Sequence, residues 1–252
     1  MRDSGLYDHT FLIPKYVDPI VQPVLANLRT LFLDLSSKFP VVDVEDMDNG
    51  PTRCPSYFLK IFLARLPQLE HLRLNFQYYR GEEQEPNNIL LWLSKEAPVI
   101  DVTSNIISSG QSTLMESPRP MNFAKLRQLD IGMISTEPQI LISVIRKYQS
   151  TLRIISFHKV SLLEEANADA DSDSVKSKSF SRTRVNLWAQ FFDQLSKLRL
   201  NLTAINMSLL SQDRVGKYRI RSLISFKNSR DPKSKRWAGT DVQSGLRIFY
   251  RK

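Results

Sequence analysis

The residues able to do chemistry are few and scattered. Histidines stand only at His9, His71 and His158, and none has a second His or a carboxylate one helical turn away. The i, i+4 pairing that builds a zinc site on a helix is therefore missing. Cys54 is the single cysteine, so it forms no intramolecular disulfide or thiolate cage, and with no neighbouring His it has no base to make it a nucleophile. Asp169, Asp171 and Asp173 imitate the start of a calcium loop, yet Ser174 takes the glycine place and Phe180 the place of the twelfth-position glutamate. Eight glycines occur and none lies in a phosphate-cradling run or a G-x-S-x-G turn. These residues predict a non-enzymatic protein with no metal and no cofactor.

Binding chemistry is better represented. The 252 residues carry a formal charge of +9, but twelve Lys/Arg against Asp231 and Asp241 give residues 214–252 a balance of +10. The residues before them total −1. Lys217, Arg219 and Arg221 alternate with Tyr218 and Ile220, as on a strand with one basic side, and Lys235 and Arg236 follow in an expected loop. Such residues suit phosphate contacts and hence a nucleic-acid-associated protein. A solvated charged edge that blocks strand-to-strand aggregation accounts for the same residues more simply, and nuclear import is a third reading of short Lys/Arg clusters.

Positioning elements emerge from a short pattern, apolar residues at relative positions 1, 4 and 6, met five times. The copies are Leu28, Leu31 and Leu33; Leu69, Leu72 and Leu74; Leu126, Leu129 and Ile131; Leu152, Ile155 and Phe157; Leu195, Leu198 and Leu200. Positions 4 and 6 alternate with polar residues, which suits a short strand buried on one face. Helix-spaced apolar residues precede several copies: Phe58, Leu59, Phe62, Leu63 and Leu66, with Ser56 as the expected cap; Ile140, Leu141, Val144, Ile145 and Tyr148, with Thr136 as cap and Pro138 at the first turn; Val185, Trp188, Phe191, Phe192 and Leu195. Asp18 and Pro19 open a shorter helix, and another is expected around Ile89 to Leu93. Helix-then-strand without hairpin signals predicts parallel strands linked by helical crossovers.

The copies are spaced by 41, 57, 26 and 43 residues, so the repeats are irregular or carry insertions. The expected organisation is an N-terminal cap over 1–27, a repeat domain over 28–212 and a basic segment over 213–252. Loops are expected at 97–122, where a degenerate strand could lie at Val99 to Val102, and at 164–184, which runs from acidic to basic.

Two segments, Phe62-Leu63-Ala64-Arg65-Leu66-Pro67-Gln68-Leu69-Glu70-His71-Leu72-Arg73-Leu74-Asn75-Phe76 and Phe123-Ala124-Lys125-Leu126-Arg127-Gln128-Leu129-Asp130-Ile131-Gly132-Met133, resemble the irregular leucine-rich-repeat region of fungal F-box-type proteins. The resemblance covers about residues 20–212. It implies an α/β fold, an irregular leucine-rich-repeat solenoid that recruits a protein partner, which complete members present to a cullin-type ubiquitin ligase. Leu12-Ile13-Pro14-Lys15 lacks the acidic residue of an F-box start, and Pro19 and Pro23 interrupt the helix behind it; docking to ligase subunits through an F-box is not expected of these residues.

In stacked strands, positions 3, 5 and 7 turn away from the core. They read Thr30, Phe32 and Asp34; His71, Arg73 and Asn75; Gln128, Asp130 and Gly132; Ile154, Ser156 and His158; Lys197, Arg199 and Asn201. Arginine and aromatic groups tend to dominate interface energies, so Phe32, His71, Arg73, His158 and Arg199 are the expected partner-binding residues. The N-terminal residues have no apolar stretch of a secretory signal, and no apolar run approaches the roughly 18 residues of a membrane span. A cytoplasmic or nuclear protein is expected, with the sequons at Asn201 and Asn206 unmodified.

Overall fold

A computed structural model of the chain describes residues 5–36, 41–46, 50–77, 85–96, 115–116, 118–164, 186–214, 220–226, 231–242 and 244–245. A 3-10 turn at Asp8–Phe11 leads to helix α1 (Asp18–Ala26) and strand β1 (Thr30–Leu35). A hairpin of β2 (Val41–Asp46) and β3 (Gly50–Pro55), then α2 (Tyr57–Ala64), separate β1 from β4 (His71–Phe76). Next come α3 (Glu85–Ser94), β5 (Met115–Glu116) and β6 (Gln128–Gly132). The order then repeats twice: β7 (Ser135–Thr136) and α4 (Pro138–Lys147) lead to β8 (Ile154–His158), and β9 (Ser161–Glu164) and α5 (Leu187–Lys197) lead to β10 (Ala204–Ser208). β11 (Ser211–Arg214), β12 (Ile220–Leu223) and β13 (Ser234–Ala238) complete the set.

The fold is mixed α/β, built on parallel strands. β1, β4, β6, β8 and β10 lie side by side in chain order, all parallel, and β13 adds an antiparallel edge beside β10. A second sheet, β7-β9-β11-β12, is parallel through β11, and β12 closes it antiparallel. The hairpin β2–β3 pairs with β5 in a third sheet. The chain thus contains hairpin pairings that its sequence did not signal, and β5 lies inside the stretch expected to be loop. Val99 to Val102 and almost all of 164–184 lie outside the described residues.

The alternation expected of half-buried strands is present. Leu33 and Leu35, Leu72 and Leu74, Leu129 and Ile131, Ile155 and Phe157, and Ile205 and Met207 face one core with Leu59, Leu63, Ile89, Leu90, Leu141, Val144, Ile145, Trp188, Phe191, Phe192 and Leu195 of the helices. At roughly 25 cal/mol per Å² of apolar area withdrawn from water, this continuous core is the main stabilising contribution. Trp188 is wholly buried among Phe157, Phe191 and Phe192, and its indole N–H donates to the Ser211 carbonyl at 2.7 Å.

Two corrections concern the elements themselves. The fifth repeat is out of phase: Leu195 belongs to α5 and Leu198 follows its end, while the strand is β10, seven residues later, with Leu202, Ile205 and Met207 at the same 1, 4, 6 spacing. A Leu-rich helix end imitates the strand pattern because helices also place apolar residues three apart. The second correction is that Lys235 and Arg236, expected in a loop, lie on β13.

Corners between the two main sheets repeat as well. Met133, Lys159 and Leu209 adopt positive φ (59°, 53° and 54°) directly after β6, β8 and β10. Each is followed by a buried apolar residue, Ile134, Val160 or Leu210, and then by the serine that opens the next strand, Ser135, Ser161 or Ser211. The corners are laddered: Met133 N–H donates to His158 O at 2.7 Å, Lys159 to Ser208 O at 2.9 Å and Leu209 to Lys233 O at 2.8 Å. A left-handed residue disfavoured in isolation persists because these bonds and the buried neighbours hold it.

Helix starts depart from expectation in an informative way. Ser56 makes no side-chain cap and sits at φ 58°, its hydroxyl buried without a hydrogen-bond partner among the described residues. Asp8, fifty residues away, does the capping: its carboxylate accepts the N–H groups of Phe58 at 3.2 Å and Leu59 at 2.9 Å. Burial pushes the Asp8 carboxyl up, and the two backbone bonds oppose this. Thr136 does not cap α4 either; it lies in β7, and Glu137 takes the flanking position without a side-chain bond. Asn186 does cap α5, accepting from Ala189 N–H at 3.0 Å.

Lys147, at the end of α4, clips the insertion around α3 in place. Its ammonium donates to the carbonyls of Leu93 (3.0 Å), Lys95 and Met121 (2.8 Å), and burial holds its pKa down at about 8, partly offset by Glu96.

Replacing Asp8 by Ala is expected to lower the unfolding free energy by about 1–2 kcal/mol, the usual cost of a lost helix cap. Ser56→Gly relieves the left-handed strain and removes an unpartnered hydroxyl, and is expected to be neutral or stabilising. Urea denaturation of both variants checks this; the reverse ranking would assign the start of α2 to Ser56.

Candidate functional site

The helices and the inward strand residues share one core, so the other side of the six-stranded sheet is left uncovered among the described residues. Strand pairing fixes what it displays, because register sets which residues stand side by side across the sheet. Three rungs cross the face: Thr30, His71, Gln128, Ile154, Ala204 and Ala238; Phe32, Arg73, Asp130, Ser156, Asn206 and Arg236; Asp34, Asn75, Gly132, His158, Ser208 and Ser234.

Of the five expected partner-binding residues, four are on this face. Phe32 is 57% exposed and its ring packs against His71 in a T-shaped arrangement, 4.6 Å between centroids. Arg73 is exposed in the second rung, and His158 is half-buried in the third. Arg199 is not on it: exposed, it lies between the end of α5 and the start of β10, and Lys197 is paired with Asp193 on α5 at 2.6 Å. Ala204, Asn206 and Ser208 take the places expected for Lys197, Arg199 and Asn201. Arg236 joins the face through β13, which only antiparallel pairing with β10 could reveal. The signal for the fifth strand was the competing triplet Leu202, Ile205 and Met207.

Side chains on the face are tied to one another in short polar ladders. His71 Nε2 lies 2.7 Å from Asp130 Oδ2, and Gln128 donates to the same carboxylate at 3.1 and 3.2 Å. Asn75, nearly buried, donates to Asp34 Oδ1 at 2.8 Å. Its side-chain amide oxygen occupies the space above Gly132, where an added Cβ would come within 2.1 Å of it, so a larger residue there would have to displace the Asn75 amide. On the other half, His158 Nδ1 meets Ser208 Oγ at 2.7 Å and Asn206 donates to Ser156 Oγ at 3.1 Å. Burial, Lys159 and Arg73 together hold the His158 pKa below its ordinary value, which disfavours the charged imidazolium on this face.

The phosphate-contact residues do not gather into one patch among the described positions. Lys235 and Arg236 are successive on β13 and so point to opposite faces, Arg236 to the open one. Arg221 lies on β12, across from Asp213 in register. Lys217 and Arg219 lie outside the described residues. Among the described residues no group of three His, Cys, Asp or Glu could hold a metal ion, and no helix is long and apolar enough to cross a membrane.

Comparison with models of known protein families gives no match, and comparison with curated proteins and with solved structures gives none either.

The depressed His158 pKa has a measurable consequence. Between pH 6.5 and the lower folded value the unfolded chain binds a proton that the folded chain does not, so stability is lost as pH falls through that window. Denaturant midpoints from pH 7.5 down to 5 are expected to fall less steeply for His158→Gln, and NMR titration of His158 is expected to move upward in Arg73→Ala. An unchanged titration in Arg73→Ala would remove Arg73 from the local field.

Proposed function

We propose that the chain is an irregular leucine-rich-repeat solenoid that binds a protein partner through the open face of its six-stranded sheet and does so without catalysis. One observation carries the reading: a sheet whose helices all pack on one side leaves, on the other, three registered rungs with an exposed aromatic at Phe32 and exposed arginines at Arg73 and Arg236. Large apolar and guanidinium groups on a firm scaffold are what protein interfaces concentrate. The repeat reading is supported by the chain-order strand ladder and by the recurring corner at Met133, Lys159 and Leu209. Each unit leaves an apolar face that only its neighbours cover, as in other stacked-repeat proteins.

The resemblance of residues 62–76 and 123–133 to F-box-type repeats supports the finer reading, substrate recognition for a cullin-type ubiquitin ligase in the cytoplasm or nucleus. The open face would hold the substrate, and ligase subunits would be reached indirectly or through residues other than an F-box.

Tagged protein recovered from its native cells at physiological and at high salt tests both levels. A Phe32→Ala/Arg73→Ala variant is expected to lose the salt-resistant partner at least tenfold, whereas Arg146→Ala/Gln190→Ala on the helix side keeps it. Partner capture unaffected by the sheet-face variant would overturn the reading. Cullin and adaptor subunits recovered with the partner would support the ligase role, and nucleic acid released by high salt would transfer the function to the basic C-terminal residues.

A further inference from the structure

The charges on the open face are unevenly satisfied. Its two acids are engaged from within the sheet, Asp34 by Asn75 and Asp130 by His71 and Gln128. Its two arginines are exposed, and neither has a hydrogen-bond or ion-pair partner among the described residues. Asp130 is the neighbour of Arg73 in register, yet its oxygens are taken by the side chains of the first rung. Lys159 and Lys233 are also exposed at the strand ends beside β10. A binding face whose carboxylates already hold hydrogen bonds within the sheet, while its guanidinium groups hold none among the described residues, presents its unmet hydrogen-bonding capacity to an acidic ligand.

Register supplies a spacing. Arg73 and Arg236 occupy the same rung, separated by β6, β8 and β10. Four strand steps of about 4.8 Å put their Cα positions about 19 Å apart across the sheet. An extended peptide rises about 3.3 Å per residue, so about six residues cover that distance, and an even number returns the side chain to the same side. Phe32 lies one strand beyond Arg73 on the same rung, where an apolar residue two places before the first acid would reach it. Between the arginines, Asn206 donates to Ser156 Oγ, so these two groups are engaged with each other and Phe32, Arg73 and Arg236 are the contacts left to the peptide.

We infer that the second rung is a docking track for an extended acidic peptide, with an apolar residue against Phe32, one carboxylate on Arg73 and a second, six residues later, on Arg236. This rests on the protein-binding reading of the sheet face and names the chemistry of the partner. A nucleic acid is the less suitable polyanion, because its affinity comes from neutralising many successive phosphates, and this rung has two separated arginines with engaged polar groups between them.

The test is fluorescence anisotropy with fluorescein-labelled Ser/Ala peptides of fourteen residues. The first carries Leu, then Glu two places later and a second Glu six places after that; a control spaces the two Glu by five, and another replaces both by Lys. The whole protein is expected to bind the first peptide at least threefold more tightly than the five-spaced control and at least tenfold more tightly than the Lys peptide. Arg73→Glu and Arg236→Glu are each expected to weaken binding at least tenfold, and the double variant to prefer the Lys peptide. Arg146→Glu, exposed on α4, is expected to change nothing, and thermal unfolding of each variant verifies folding. No binding of the Glu peptide, indifference to spacing, an equal loss in Arg146→Glu, or tighter Arg73-dependent binding of oligouridylate would each overturn the inference. If the native partner is still lost by Phe32→Ala/Arg73→Ala while the peptides fail, the acidic-track inference falls and the protein-binding reading stands.

Discussion

Parallel stacking in chain order is the constraint on which the rest depends. Each central strand contributes two residues to the core, such as Leu72 and Leu74 or Ile155 and Phe157, and these have no exposed surface or almost none. Neither a strand nor its helix can cover that area alone, so every unit is stable only between neighbours. Truncating one such side chain removes transfer free energy and leaves a cavity, a cost of about 2–5 kcal/mol in comparable cores. That penalty keeps the register, and register is what assembles the rungs of the open face.

Hydrogen bonding extends the same order beyond the strands. At the strand starts, His71, Gln128, Ile154 and Ala204 each donate to a carbonyl of the preceding unit, those of Arg29, Glu70, Arg127 and Arg153. At the strand ends, the left-handed corners at Met133, Lys159 and Leu209 pass the ladder on to the second sheet. Backbone N–H groups at these corners are thereby satisfied by carbonyls of the neighbouring unit. The face left uncovered among the described residues carries polar and aromatic side chains because the sheet does not depend on it for its core.

The C-terminal residues illustrate how a charged stretch is absorbed into such an architecture. β12 and β13 pair antiparallel with the last parallel strands, and Trp237 packs on Phe192 while Arg236 turns outward. A basic edge strand also resists pairing with another molecule. The surplus positive charge is therefore partly structural in placement, and Arg236 contributes to the same face as Arg73.

Much of this was legible in the amino-acid sequence. The apolar spacings of Leu28 to Leu33, Leu69 to Leu74, Leu126 to Ile131 and Leu152 to Phe157 marked four strands, and helix-spaced apolar residues marked α2, α3, α4 and α5, because one-sided burial imposes a period on the chain. Four of the five face residues followed from that period alone. The remainder depended on contacts between residues far apart. Asp8 as the cap of α2, the choice of Leu202, Ile205 and Met207 over Leu195, Leu198 and Leu200, and the antiparallel closure by β13 are decided by which neighbour each segment meets. Local pattern determined which side of each element is buried; tertiary packing decided its partner and its phase, since pairing energies between distant segments have no local periodic signature.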